Sequence, residues 1–196
     1  YRGAKPVMWS PVEKTALAEA EIEYENHTST TIYARFPVRQ PSHPALSGAS
    51  IVIWTTTPWT MPGNRALACG GDIEYLVIRI DEVEEGSHAS VGDLIVLAMA
   101  LLEDVCAAIG ITNHTAIHQL DGADCVGTIA AHPLAGHGYE HDVPLFHADY
   151  VTTEQGTGFV HIAPGHGVED YELAHLTHGV PVPDTVAEDG RIMEHL

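Results

Sequence analysis

Basic residues are scarce in this sequence, and lysine disappears from it early. Eight lysines and arginines face 27 aspartates and glutamates, which gives a formal net charge of −19 at pH 7. Broad docking along a nucleic-acid backbone needs a basic stripe, so this balance argues against it. No lysine follows Lys14, so the glycine-rich segments 156–158 and 165–167 do not match G-x-x-x-x-G-K-S/T, and neither fits G-x-G-x-x-G. Nucleotide-triphosphate and dinucleotide sites of those kinds are disfavoured.

Cysteines and long hydrophobic runs are also few. The three cysteines are Cys69, Cys106 and Cys125, and no C-x-x-C pair occurs, which disfavours a disulfide framework or a cysteine zinc site. Small buried side chains are the favoured interpretation over nucleophiles, and a reducing cytoplasmic location fits best. The longest apolar run, 94–102, is far shorter than the roughly 20 residues that cross a membrane, so no membrane partner is expected.

Length and composition fit a single globular domain over residues 1–196. At 45% hydrophobic residues, the chain can bury about 70% of its unfolded surface. It begins without methionine and ends abruptly, which indicates a segment excised from a longer protein. The two ends of an inserted domain are expected to lie close together.

Strand signals outnumber helix signals along the chain. Ser10 and Glu13 form a capping-box pattern that predicts a helix through Glu19. Further helices are predicted at 99–109 and 168–178, each closed by a glycine. Alternating or β-branched apolar residues predict strands at 21–24, 30–38, 51–57, 66–69, 75–80 and 94–98, with several short strands following through Tyr150. The expected fold is α+β, with a barrel-like β core and a few peripheral helices.

The strand at 51–57 ends in a cluster of hydroxyl side chains. Its last residues and the ones that follow are Thr55, Thr56, Thr57, Pro58, Trp59 and Thr60. Because Pro58 cannot donate to a strand ladder, the chain must leave the sheet near this point. The hydroxyls and the indole would then line a strand mouth that can hold a small polar ligand.

His161 and Asp170 form a second constellation. His161 ends an apolar strand, and Asp170 lies in the first turn of the following helix, where the helix dipole stabilises a carboxylate. A tight turn at 163–165 can bring both side chains to one mouth, and a poorly paired carboxylate there suits an ammonium ligand. Simple capping of the helix by Asp170 is the alternative.

The fourteen histidines raise the possibility of a metal site. His132, His137 and His141 lie in a glycine-rich loop, and His175 and His178 are spaced three apart on a predicted helix. Neither H-E-x-x-H nor C-x-x-C accompanies them, so scattered surface histidines are favoured and no metal is expected. The absence of G-x-S-x-G also disfavours a serine hydrolase. A metal-dependent hydrolase stays as a rival.

Four segments together resemble the editing domain inserted in isoleucyl-tRNA synthetase: 9–21, 54–64, 156–171 and 182–190. Related valyl and leucyl editing domains carry arginine where this chain has Thr57, so Thr57 points to the isoleucyl branch. The resemblance implies proofreading hydrolysis of valyl-tRNA for isoleucine, and of valyl-adenylate as a further substrate. The HIGH and KMSKS signatures are absent, so no cofactor is expected here, and ATP and Mg would belong to the parent's synthetic domain.

The same resemblance implies roles for individual residues. It assigns catalytic roles to Thr56, Thr57, Asn64, His161 and Asp170, and substrate contacts to these residues and to Thr55, Trp59, Thr60, Ala163, Pro164, Gly165 and His166. Asp170 would bind the α-ammonium group, while His161 and Thr60 would exclude the extra methylene of isoleucine. The threonines and Asn64 would hold the adenosine, the ester and a water. Trp59 would stack or pack, and His161 could instead act as a base.

The implied partners are the acceptor end of isoleucine tRNA carrying valine and the remaining domains of the parent synthetase. Five of the eight cations lie in the first 40 positions, namely Arg2, Lys5, Lys14, Arg35 and Arg39. They could contact a few phosphates or be solvated surface charges. Two functional alternatives remain: a non-catalytic module that binds aminoacyl-adenosine or the tRNA acceptor end, and an editing domain of the valyl or leucyl branch.

Overall fold

The computed structural model describes residues 7–193, and one sheet of nine strands organises them. In chain order the strands are β1 (Trp9–Ser10), β2 (Thr15–Ala16), β3 (Ile32–Gln40), β4 (Ala49–Thr55), β5 (Ala66–Cys69), β6 (Glu74–Val83), β7 (Leu94–Ala98), β8 (Ile111–Asp121), β9 (Ile129–Ala131), β10 (Asp142–His147) and β11 (Phe159–Ile162). The sheet order is β11-β5-β10-β9-β3-β4-β7-β6-β8, and β1 pairs with β2 in a separate hairpin.

Few helices accompany the sheet. They are α1 (Leu102–Ala108), α2 (Gly122–Cys125) and α3 (Val168–Asp170), and a π-helical segment (Tyr171–Thr177) continues α3. Short 3₁₀ segments occupy Glu19–Glu21, Pro44–Leu46, Pro58–Gly63 and Met99–Leu101. No helix within residues 7–193 has the length and apolar character needed to span a membrane.

The core lies around the central strands. β4 and β7 pair in parallel and are buried along most of their lengths, which accounts for their continuous apolar sequences. Phe36, Ile51 and Ile53 are fully buried there. All three cysteines are free and buried, as predicted, and burial raises the pKa of the Cys69 thiol to about 12.

The expected barrel is replaced by a strongly curved open sheet. β11 and β8 are its end strands, and no hydrogen-bonded register joins them or closes the sheet elsewhere in residues 7–193. β11 contacts β4, although four strands lie between them in the order, so the sheet curls back on itself. The Thr157 carbonyl accepts a hydrogen bond from the Ala98 N–H at 2.8 Å, so the chain entering β11 is attached to the end of β7 instead of closing a ladder on β4.

The N-terminal helix and the strand at 21–24 were wrong predictions. Ser10 and Glu13 do bond reciprocally, but they close a turn between β1 and β2, in which Lys14 adopts a φ of 53°. A positive φ is incompatible with a continuing α-helix. Residues 21–24 fail as a strand because they have no buried face: Tyr24 is 84% exposed.

Other predicted elements are confirmed with shifted ends. Strands 66–69 and 94–98 match β5 and β7, while 30–38, 51–57 and 75–80 correspond to β3, β4 and β6. The helix at 99–109 begins as a 3₁₀ turn before α1, and that at 168–178 continues into the π-helical segment.

The described ends of the chain lie together. The Trp9 indole N–H donates to the Glu188 carbonyl at 2.9 Å, and Pro11 lies against Gly190. The terminal residues themselves, including Arg2 and Lys5, fall outside the described range, so the expectation for the two termini stays a prediction.

Candidate functional site

The threonine cluster at the end of β4 forms a compact chain reversal. The Thr57 N–H donates to Thr55 Oγ1 at 3.1 Å, a local bond that competes with further strand pairing. Pro58 then begins the 3₁₀ segment 58–63, for which its fixed φ is suited. The Thr60 hydroxyl donates to the Thr57 carbonyl at 2.8 Å, which ties the segment back to the strand end.

The neighbouring strand β11 brings His161 to this reversal. β11 runs antiparallel to β5, with His161 opposite Leu67, and Asn64 lies just before β5. The entry to β11 depends on Gly158, whose φ is 81° and whose added Cβ would lie 2.4 Å from the Ala98 Cβ. Only glycine satisfies both the backbone and the space there.

A hydrogen-bond chain of defined direction connects Asn64, His161 and Thr60. The Thr60 hydroxyl has one proton and donates it to the Thr57 carbonyl. Its oxygen must therefore accept the hydrogen bond from His161 Nε2–H, at 2.8 Å. His161 Nδ1 is then the acceptor, and Asn64 Nδ2 donates to it at 3.0 Å. A second Asn64 proton goes to the Ala66 carbonyl at 2.8 Å, which fixes the amide orientation.

His161 is therefore a neutral side chain with both ring nitrogens engaged. Burial, followed by the nearby His132 and His166 rings, lowers its pKa to about 4. A general base needs a free lone pair, and His161 offers none without breaking the chain of bonds. This geometry favours the implied role of a pocket wall over that of a base.

Asp170 lies across the mouth from His161. Its Oδ2 accepts the Ala163 N–H at 2.7 Å. Ala163 lies before α3, and α3 has no side-chain cap, so this bond is not the helix capping considered as the alternative. No lysine, arginine or histidine of residues 7–193 forms an ion pair with it. Burial raises the pKa of the Asp170 carboxyl, and Glu169 adds to the effect. A half-buried carboxylate without a cation is suited to an incoming ammonium group.

A cavity of about 230 Å³ joins these groups. Seven predicted site residues line it, namely Thr55, Thr57, Thr60, His161, Ala163, His166 and Asp170. Trp54 and Val160 complete the wall and were missed by sequence reasoning. Both lie within the resembling segments 54–64 and 156–171, and that membership was the available signal.

Five other predicted residues do not line the cavity. Thr56 is exposed, and its carbonyl accepts from Ser29 Oγ at 2.6 Å. Asn64 is fully buried behind His161, Pro164 is buried and Gly165 is exposed. Trp59 is 55% exposed and meets His166 edge-on, with ring centroids 5.3 Å apart. Their roles toward a ligand stay predictions.

His166 is fixed in the cavity wall by a residue to which no role was assigned. Its Nε2 lies 2.6 Å from Thr185 Oγ1, in the last of the four resembling segments. Gly63 makes room for the ring, because an added Cβ would lie 2.8 Å from it. Burial lowers the pKa of His166.

A larger cavity of about 620 Å³ lies elsewhere, beside β3 and the 84–89 turn. It contains none of the predicted site residues, and its Arg35 is already paired with Asp93 at 2.5 Å. Neither that cavity nor the rest of residues 7–193 contains three or more His, Cys, Asp or Glu residues grouped to hold a metal ion. The smaller cavity is the candidate site because it alone gathers the threonines, His161 and Asp170.

Comparisons with known proteins agree on one family. Residues 100–195 match the family model described as leucyl-tRNA synthetase, editing domain. Isoleucine–tRNA ligase of Gluconobacter oxydans is 53% identical over 194 residues, covering 97% of this chain and 20% of that protein. The Caulobacter vibrioides ligase is 49% identical over 204 residues, again with 20% of its length covered. The chain thus spans about a fifth of the length of the relatives it matches.

Solved structures show the same fold at low identity. The crystal structure of GlLeuRS-CP1 superposes with a TM-score of 0.57 at 18% identity, covering 74% of this chain and 59% of that one. The Plasmodium knowlesi cytosolic leucyl-tRNA synthetase editing domain gives 0.56 at 10% identity, covering 76% and 64%. The mixed α+β architecture with a large sheet and few helices is therefore shared with such domains.

Proposed function

The chain belongs to the synthetase editing-domain family, in its isoleucyl branch, and from this premise we propose that it hydrolyses valine from mischarged isoleucine tRNA. The observation that carries the proposal is one small cavity with a neutral histidine in its wall and, at its rim, a carboxylate that pairs with no cation of residues 7–193. Valyl-adenylate presents the same aminoacyl group and is a second substrate under the proposal.

Asp170 supplies the ammonium contact. Its Oδ2 is held by the Ala163 N–H, so the carboxylate is oriented before a ligand arrives. The α-ammonium group of the aminoacyl ester would provide the positive charge that the described residues do not supply. Because the same contact forms with any amino acid, Asp170 provides affinity and orientation but no discrimination between side chains.

His161 and Thr60 discriminate between the valine and isoleucine side chains. An apolar pocket separates isoleucine from valine by only ~1–3 kcal/mol, the binding free energy of one methylene, and isoleucyl-tRNA synthetases are a standard example of this limit. A second site that rejects the larger side chain overcomes this limit. The His161–Thr60 bond at 2.8 Å makes that wall rigid, since neither ring nitrogen can leave without losing a partner.

The chemical step is hydrolysis by a positioned water. The Thr55 and Thr57 hydroxyls lie 3.2 Å apart on the cavity wall and can hold a water or the ester oxygen. With His161 engaged on both sides, positioning and polarisation by hydroxyl groups, aided by the free ribose hydroxyl of the adenosine, supply the rate enhancement. ATP and Mg belong to the parent's synthetic domain under this proposal.

The acidic surface suits a domain that holds only the acceptor end of a tRNA. Arg35 and Arg39 are paired with Asp93 and Asp142, which leaves little free positive charge on the described surface. The remaining four fifths of the parent would carry most phosphate contacts. Weak, salt-sensitive tRNA binding by the isolated chain follows, and a cytoplasmic location stays an expectation.

One alternative has a specific observation in its favour. Because His161 is not a free base, the isolated chain could bind aminoacyl-adenosine without hydrolysing it. A non-hydrolysable valyl-adenosine analogue should bind under both hypotheses, whereas release of valine from charged tRNA occurs only under the first.

The test follows deacylation of valyl-charged and isoleucyl-charged isoleucine tRNA separately. We expect the chain to release valine selectively and the Asp170→Ala variant to lose that activity without unfolding. Asp149→Ala is the matched control, because its side chain is 99% exposed and contacts His147 away from the cavity. Equal rates for valine and isoleucine would contradict the proposal.

A further inference from the structure

We propose that His132 is a positioning residue for the cavity, acting through the carbonyl of Met61; the inference rests on the proposed function for its activity readout. His132 does not line the cavity and lies behind the 3₁₀ segment 58–63. It is 1% exposed and was considered in the sequence only as one of several loop histidines.

The ring orientation of His132 follows from its partners. Its Nδ1 accepts the Leu134 N–H at 3.1 Å, so Nε2 carries the proton and donates to the Met61 carbonyl at 2.9 Å. The ring is stacked on Tyr139, with centroids 4.9 Å apart, and meets Phe36 edge-on. Because the imidazole is buried, stacked on Tyr139 and bonded at both nitrogens, it is held against Met61.

The Met61 carbonyl joins His132 to the residues that hold His161. It accepts two protons, one from His132 and one from the Asn64 N–H at 3.0 Å. Met61 directly follows Thr60, so this one peptide group lies between the two side chains that bond the His161 ring. A shift of the Met61 carbonyl would therefore move both anchors of the cavity wall.

Neighbouring carbonyls also have side-chain partners. Arg65 Nη1 donates to the Pro62 and Asn64 carbonyls at 3.2 and 2.6 Å, and His141 Nε2 lies 3.0 Å from the Asn64 carbonyl. A 3₁₀ segment has poor internal hydrogen-bond geometry, and its last carbonyls need outside partners. His132 differs from Arg65 and His141 in bonding the residue next to Thr60.

A core histidine that merely stabilises the fold is the alternative. It predicts that any variant at position 132 loses activity only in proportion to lost stability. The positioning role predicts a loss that depends on the donated proton. His132→Phe keeps a ring but removes the donor, whereas His132→Gln keeps an N–H that can reach Met61.

The activity test compares these two variants with Ile78→Ala, a fully buried change in β6 that lies outside the cavity wall. We expect His132→Phe to slow valine release about 10- to 100-fold and to reduce the ratio of valine to isoleucine release, since a displacement of about 1 Å can cost about 100-fold. His132→Gln should recover most of both. The proposal would be overturned if His132→Phe and Ile78→Ala, compared at matched melting temperature, lost the same fraction of the valine-release rate and left the ratio of valine to isoleucine release unchanged.

A second readout is independent of any activity. The His161 Nε2–H proton, protected by Thr60, should give a nitrogen-15-resolved NMR signal that shifts and exchanges faster in His132→Phe and returns in His132→Gln. An unshifted signal in His132→Phe refutes the positioning role even if editing is confirmed. A shifted signal in a chain that releases no valine supports positioning while refuting the proposed function.

Discussion

Replacing Asp170 with asparagine separates what this carboxylate does for function from what it does for stability. Asparagine keeps an oxygen to accept the Ala163 N–H, now at 2.7 Å, and removes only the charge. A hydrogen bond to a charged group is worth about 1.5–3 kcal/mol, so loss of the ammonium contact should lower kcat/KM for valine release about 10- to 150-fold. KM and kcat should both be affected if the contact also orients the ester.

Asp170→Asn should lower activity but should leave the stability of the fold unchanged or raise it. The Asp170 carboxyl has a pKa raised above its usual 3.8 by burial, so its charged form is disfavoured in the fold. A raised pKa contributes stability that is present below pH 3.8 and lost as the pH rises through the folded value. At a pH above the folded pKa the cost is present, and at pH 7 Asp170→Asn should unfold at the same or a higher denaturant concentration than the unmodified chain.

Denaturant unfolding at pH 7, paired with deacylation kinetics, checks both parts. Asp149→Asn is the control for a lost negative charge, because its side chain is exposed and outside the cavity. The reasoning is refuted if Asp170→Asn is clearly destabilised, since the carboxylate would then be structural. It is equally refuted if valine release is unchanged.

Three further predictions concern His161, the entry to β11 and the buried histidines. His161→Ala should open the cavity and allow release of isoleucine from isoleucyl-tRNA; continued rejection of isoleucine in the same deacylation assay would remove His161 from the wall. Gly158→Ala should destabilise the fold by about 2–5 kcal/mol, because alanine would have to adopt a left-handed φ of 81° and would clash with Ala98. An unchanged free energy of unfolding in denaturant would contradict the structure. His161 and His132 have pKa values lowered from 6.5 to about 4 in the folded chain. Between these pH values each histidine is more protonated in the unfolded chain than in the folded one, so the free energy of unfolding should fall as the pH drops from 6.5 to 4. Urea unfolding of the unmodified chain and His132→Phe across that range measures the effect, and identical slopes would argue against a buried neutral His132.

Local sequence signals predicted strands and helices well where the local backbone preference agrees with the packing of that segment in the fold. Residues 66–69 and 94–98 are continuous apolar runs that end at glycine or helix signals, and they form β5 and β7. The capping pattern at Ser10 and Glu13 shows the opposite case. Its hydrogen bonds form, but the chain turns at Lys14 and pairs as a hairpin, because the segment exposes most of its side chains and buries no helical face.

The candidate site was partly predictable for a related reason. Thr55, Thr57, Thr60, His161 and Asp170 were identified from motifs, and they meet at one cavity. Interactions that depend on which strand lies beside which left no comparable signal. His132 bonds a carbonyl 71 positions away, and the sheet order that brings β9 near the 58–63 segment cannot be read from local pattern.

The most direct measurement uses isoleucine tRNA charged with labelled valine and labelled isoleucine in one reaction with this chain. Release of valine with isoleucine retained is the predicted result, and the selectivity should vanish in His161→Ala. Release of both amino acids at one rate, or loss of isoleucine first, would contradict the claim that this cavity sorts them by size.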